Sequence, residues 1–179
     1  VHDWPAALPI ETPRVSMEPL AVSHAPEMRE ALADPGLYRY IGGAPPSLRE
    51  LTDRYSRQAA GRSADGEQGW LNWIIRRRDS GDAIGFTQAT LHGEGSSVVA
   101  DIAWVVAARH QGRGFASEAA AAMRAWLRGR GIDRCIAFIA PANLASERVA
   151  RTLGLHPTEE VVDGEVHWES SPATRNRSR

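Results

Sequence analysis

"RHQGRGFASEAAAAMRAW", residues 109–126, decides how this chain is read. Its first half sets Arg109, His110, Gln111 and Arg113 around Gly112 and Gly114, and its alanine-rich second half predicts a helix running to about residue 130. A helix N-terminus leaves about four amide N–H groups unpaired and carries roughly half a positive charge. Glycines let the backbone come close to an anion, and arginines add full charges. The loop is therefore expected to cradle a phosphate; the plainer alternative is a tight turn with solvated arginines.

Upstream, three β-rich runs at 70–78, 83–91 and 98–106 are separated by the turns "DSGD" and "HGEGSS", which predicts an antiparallel meander. Downstream, residues 134–140 form a buried apolar run. "NLASERVARTLGL" reads as a helix stopped at Gly154, and "TEEVVDGEVHWE" as a hairpin turning at Asp163-Gly164. Nearer the N-terminus, residues 14–20 suit a strand, Ser23 is a candidate cap for a short helix, and Ser47 with Glu50 has capping-box spacing for a helix to about residue 60. The layout is mixed α/β (α+β), with a parallel crossover from 98–106 to 134–140 and the glycine loop at its turn, where ligands of such sheets bind. Residues 1–13 read as an extended leader, 14–169 as one domain and 170–179 as a disordered polar tail.

One phosphate motif fails, and a second fits poorly and stays only as a minor alternative. A Walker A loop needs Lys and Ser/Thr after its last glycine, where this chain has Phe115 and Ala116. Gly112, Gly114 and Ser117 approach the dinucleotide spacing, but Asp133 precedes the next strand, where the ribose-binding acid should end it.

Arg109 to Gly114 matches the Q/R-x-x-G-x-G/A motif of the GNAT acetyltransferase superfamily, and "GFASEA" resembles its helix start. "NLASERVARTLGL" resembles the N-x-x-S segment of the branch that includes the ribosomal-protein alanine acetyltransferases. This resemblance spans residues 14–169. It implies a GNAT fold: a mostly antiparallel central sheet of about six or seven strands with a splayed parallel pair and about four flanking helices.

It also implies acetyl-CoA as co-substrate. Its pyrophosphate would meet the amides of Gln111, Gly112, Arg113, Gly114, Phe115 and Ala116, with Arg109 and Arg113 adding charge. Trp104, Val105 and Val106 would run beside the pantetheine arm, and the Val106 amide would polarise the thioester oxygen. Many relatives protonate the thiolate with a tyrosine where this chain has Ala150. Ser146 takes that role in the related branch, unless it only bonds backbone. Asn143 is a helix cap and a cofactor contact.

The acceptor is expected to be a primary amine, on a peptide N-terminus or a small molecule. Asp101, a charged residue in an apolar strand, is the candidate base, the alternative being a strand-edge partner of an arginine. His92 and Glu94, on a turn, are lesser candidates or solvated, and Glu118 faces its neighbours or caps the loop. A water relay through backbone carbonyls is the alternative to any side-chain base. Tyr38, Tyr40 and Trp168 are candidate acceptor contacts, with residues 37–43 as a cleft wall. Cys135 reads as core, His110 as surface or adenosine-side and not catalytic, and Arg76 to Arg78 as a solvated basic run. The alternative is a non-catalytic acyl-CoA-binding module of the same fold.

With 179 residues and a formal net charge of −1, the chain lacks a global basic field, so neither nucleic acid nor a membrane surface is an expected partner. One cysteine excludes an intrachain disulfide and a cysteine metal cluster, and no metal is expected. No apolar run nears membrane-span length and no signal-peptide core is evident, so a cytoplasmic protein is expected. A homodimer is compatible with the sequence.

Overall fold

The computed structural model describes residues 3–93 and 95–171, apart from the side chain of Ser96. Eight strands form one sheet: β1 (Ile10–Glu11), β2 (Val15–Pro19), β3 (Gly69–Arg77), β4 (Ala83–His92), β5 (Val99–Val106), β6 (Arg134–Ile139), β7 (Leu155–Val162) and β8 (Glu165–Ser170). Their order is β1-β2-β3-β4-β5-β6-β8-β7. Every neighbouring pair is antiparallel except β5 and β6. Five α-helices flank the sheet: α1 (Ala25–Ala31), α2 (Tyr38–Ile41), α3 (Leu48–Gln58), α4 (Phe115–Arg128) and α5 (Leu144–Thr152).

Alternation along the strands divides the sheet's two faces. On β5, Ala100, Ile102, Trp104 and Val106 share a core with Phe115, Ala119, Ala120 and Met123 of α4 and Val149 of α5. Val105 faces the other way and packs with Ile74, Phe86 and the cluster formed by α1 and α3. Helix α4 presents Phe115, Ala119, Ala120, Met123 and Leu127 inward, one stripe of a helical period. Its fully buried alanines let the backbone lie close to the sheet, and truncating the enclosed Met123 would cost about 2–5 kcal/mol.

The capping box forms as the sequence predicts: Ser47 Oγ accepts the Glu50 N–H at 3.3 Å, and Glu50 Oε2 accepts the Ser47 N–H at 2.8 Å. Ser23 does not cap. A 3-10 turn, Val22–His24, precedes α1, and His24 Nδ1 accepts the Ala21 N–H at 3.0 Å.

The strand count exceeds the expected six or seven partly because Ile10 and Glu11, in the leader, pair with Met17 and Ser16. The leader also hangs on two indoles: Trp4 Nε1 donates to Gly66 O at 3.0 Å and Trp73 Nε1 to Leu8 O at 2.8 Å. Ser170 ends β8, where its hydroxyl accepts the Cys135 N–H at 3.0 Å; the tail beyond residue 171 lies outside the described residues.

Arg76 to Arg78 are not a solvated run. Arg76 holds Glu18 and Glu27 at 2.7–3.1 Å, Arg77 pairs with Asp79, and Arg78 Nη1 donates to Thr12 O at 2.8 Å. The acidic partners of Arg76 sit on β2 and α1, distant in the chain, so the basic run by itself does not reveal them.

Candidate active site

The parallel pair β5 and β6 is in register only at Val99–Arg134, Ala100–Cys135 and Asp101–Ile136. Beyond Asp101 the two strands part. The Ala107 N–H donates to Ile84 O at 2.7 Å, across to β4. Since backbone groups alternate sides along a strand, those of Trp104 and Val106 point the opposite way, into the gap. Gln111 Nε2 donates to Val106 O at 2.9 Å there. A strand edge with free donors and acceptors is a template for another extended chain.

At the wide end of the gap lies the glycine loop. Gly112 and Gly114 adopt φ of +72° and +80°, conformations costly for other residues. Gly114 is the N-cap of α4, and the first backbone bond into that helix runs from the Glu118 N–H to Gly114 O at 3.0 Å. Among the described residues, nothing accepts from the amides of residues 112–116. Five successive N–H groups thus stand without a partner at the positive end of a helix. Gln111 departs from this set, because its N–H donates to Ala108 O at 3.2 Å.

His110 is buried, at 6% exposure, not on the surface. Its Nε2 accepts from Arg109 Nε at 3.0 Å, which leaves the proton on Nδ1, buried without a partner. Burial first, then the charges of Arg109, Arg77 and Arg113, hold its pKa below the usual histidine value, so the ring is neutral near pH 7. Only Arg113 of the two loop arginines has its guanidinium outside these contacts.

Asn143 caps α5, its Oδ1 accepting the Ser146 N–H at 3.2 Å. The Ser146 hydroxyl has no hydrogen-bond partner among the described residues and so does not bond back to the helix. A cavity of about 210 Å³ opens in the gap, lined by residues of β5 (Trp104, Val105), β6 (Phe138, Ile139), Asn143, Ser146 and Tyr40. Ala150 is fully buried and does not line this space. A larger cavity, about 330 Å³, lies between Trp4, the end of α3 and Trp70, and touches none of these groups.

Asp101, with Thr90 and Ala103, sits on the sheet face opposite α4. Desolvation by burial pushes its pKa above the ordinary aspartate range, against the pull of His92 and His167 and with the push of Glu165. Its carboxylate has no hydrogen-bond partner among the described residues. Glu94 lies outside the described residues. Cys135 is buried in the core as expected, and burial pushes its thiol pKa up.

Two of the three acceptor contacts do not reach the site. Tyr38 hydrogen-bonds Leu32 O at 2.9 Å and packs on the α1 and α3 cluster. Trp168 is 2% exposed and faces α5, under Arg151 at 5.0 Å. In a strand, the neighbour takes the other face, and it is His167 that pairs opposite Phe138, their rings 5.3 Å apart, on the face of Asp101. The sequence signal was the strand period itself: His167 is one residue out of phase with the buried Trp168. Tyr40 and Ile41 do wall the cavity.

Residues 14–156 match the model of the acetyltransferase (GNAT) domain family. The chain belongs to the GNAT acetyltransferase family. The GNAT fold is shared with a GNAT-family acetyltransferase from Bacillus anthracis at 17% identity, TM-score 0.71, over 90% of this chain and 97% of that one. The aminoglycoside acetyltransferase AAC(6')-Ib in complex with coenzyme A is similar at 19% identity, TM-score 0.71, over 88% and 94% of the two chains. RimL, the ribosomal L7/L12 alpha-N-protein acetyltransferase, is similar at 17% identity, TM-score 0.72, over 90% and 91%. Likenesses at these identities concern the fold alone. Protein YkkB of Bacillus subtilis (strain 168) is 31% identical over 90 residues, which span 50% of this chain and 52% of that protein. The GNAT chain thus matches about half the length of this curated relative. No helix among the described residues is long and apolar enough to cross a membrane.

Proposed function

We propose that this GNAT chain is an acetyl-CoA-dependent N-acetyltransferase that moves an acetyl group to a primary amine by direct attack on the thioester. The observation that carries it is the row of five unpartnered amides at residues 112–116, set at the open end of the β5 and β6 fork. Bare amides at a helix N-terminus suit a diphosphate, and an unpaired strand edge suits an amide-bearing arm. The residues present fit coenzyme A on both counts.

The thioester supplies an activated acetyl group and a good leaving thiolate. Amides of residues 112–116 hold the diphosphate, with Arg113 and Arg109 adding positive potential. Val106 presents its N–H to the carbonyl oxygen where negative charge develops. A lysine-like amine is protonated near neutral pH and must lose a proton before it attacks. Asp101, short of solvent and of partners, takes that proton, directly or through water. Ser146 offers its hydroxyl proton at the sulfur, where Ala150 offers none. Tyr40 and Ile41 border the acceptor.

AAC(6')-Ib is named for an aminoglycoside and RimL for a protein N-terminus, so an amine acceptor of either kind is consistent with the family. Ala150 favours one other reading, an acyl-CoA-binding module without catalysis. Titration with coenzyme A in a thermal-shift assay tests what the two share: at 100 times its dissociation constant the ligand adds about 2.7 kcal/mol. A thiol-release screen over peptides, amino acids, polyamines and aminoglycosides separates them. No shift at millimolar coenzyme A sinks both readings.

A further inference from the structure

We propose that Arg14, held by Glu118, is a positioning residue that fixes the orientation of the phosphate loop. The inference rests on the coenzyme A reading above. Arg14 Nη1 donates to the carbonyl of Arg113 at 2.9 Å. A peptide unit is planar and trans, so its N–H points opposite its C=O. Fixing the Arg113 carbonyl on Arg14 therefore turns the Gly114 N–H away from Arg14 and into line with the other bare amides.

Without that hold, the peptide plane is poorly determined. Gly114 sits at φ +80° and, as a glycine, tolerates the opposite sign of φ about as well. Flipping this plane would put a carbonyl oxygen where a donor is needed.

Arg14 is itself held on two sides. Its Nε donates to Glu118 Oε2 at 2.6 Å, and its backbone N–H to Glu118 Oε1 at 2.9 Å. The Thr12 hydroxyl joins Oε1 at 2.7 Å. The guanidinium covers the Phe115 ring at 4.8 Å, with Arg77 over the same ring at 5.6 Å. Burial alone would raise the Glu118 pKa, but the bonds from Thr12 and Arg14 outweigh it and hold the carboxyl below its usual range. As an ion pair, a half-exposed Arg14 adds little stability. Its planar fork, which spans Glu118 and a carbonyl together, is what a lysine lacks.

Coenzyme A binding by calorimetry on wild type, Arg14→Gln, Arg14→Lys and Glu118→Gln tests this, with S-acetylpantetheine as a thioester lacking the diphosphate. Arg14→Gln is expected to weaken coenzyme A about tenfold and to leave the calorimetric Kd for S-acetylpantetheine unchanged. The Gly114 amide resonance of the ligand-free protein should move, and Arg14→Lys should recover only part of the affinity. Coenzyme A binding within about twofold of wild type, an equal loss for S-acetylpantetheine, or an unmoved Gly114 resonance overturns the proposal. Wild type that fails to bind coenzyme A refutes the coenzyme reading instead, while the Gly114 resonance still decides the role of Arg14. Should Arg14→Gln not fold, Glu118→Gln carries the same three comparisons.

Discussion

Asp101 and Ile136 are the last residues at which β5 and β6 are in register, so the half-buried carboxylate stands at the crotch of the fork. From that place its chemistry and its stability cost can be separated.

Asp101→Asn should stabilise the protein at neutral pH while removing most activity. The native carboxyl keeps its proton to higher pH than the unfolded chain does, chiefly through desolvation. Folding stability therefore falls as pH rises above the ordinary aspartate range, and a neutral side chain escapes that loss. Melting temperatures of both forms should converge below about pH 4 and separate above it. A general base contributes about a hundredfold or more, so kcat should drop on that scale. Asparagine that retains full kcat would remove Asp101 from the mechanism.

Ser146→Ala should lower kcat about tenfold or more with the KM for acetyl-CoA little changed. Because the hydroxyl has no partner among the described residues, the melting temperature should stay put. By contrast Asn143→Ala removes the α5 cap and should cost about 1 kcal/mol. A stability loss at Ser146 as large as at Asn143 would mark the serine as structural.

Gly85→Ala should be among the most damaging single changes in the sheet. A Cβ there would lie 2.1 Å from Val105 O and 2.9 Å from Val106 Cα, against backbone that cannot step aside. Overpacking of this kind costs about 1–3 kcal/mol or more, a fall of at least several degrees for a chain of this size. Activity should fall further than stability, because the displaced segment carries the Val106 N–H.

Arg76→Gln should blunt the acid sensitivity of folding. Glu18 is held below its ordinary pKa first by its hydrogen bond to Arg76, so it contributes stability that is present above the unfolded value and lost as pH falls. Denaturant midpoints between about pH 3 and 6 should drop less steeply in the variant, though the variant is weaker at pH 7. Parallel curves for the two proteins would show that the cluster does not govern acid unfolding.

Local chemistry made much of this molecule readable. The glycine loop, the alanine helix, the meander and the Ser47–Glu50 box each depend on residues near one another, and each forms where expected. What escaped depends on distance or on parity. Trp168 and His167 are adjacent and both suit a cleft, and only the pairing of β6 with β8 decides which faces it. His110 looked solvated because nothing nearby in sequence shows the packing that covers it. Arg14 lies 104 residues before Glu118, so no motif could join them.

The sheet is fastened along β5 and β6 for three residue pairs and then runs free. Mechanically that is a clothes peg, whose jaws answer to its spring. Cys135 and Ala100 form the middle of the spring. A bulkier side chain at either would set the width of the jaws from a distance, without touching anything held between them.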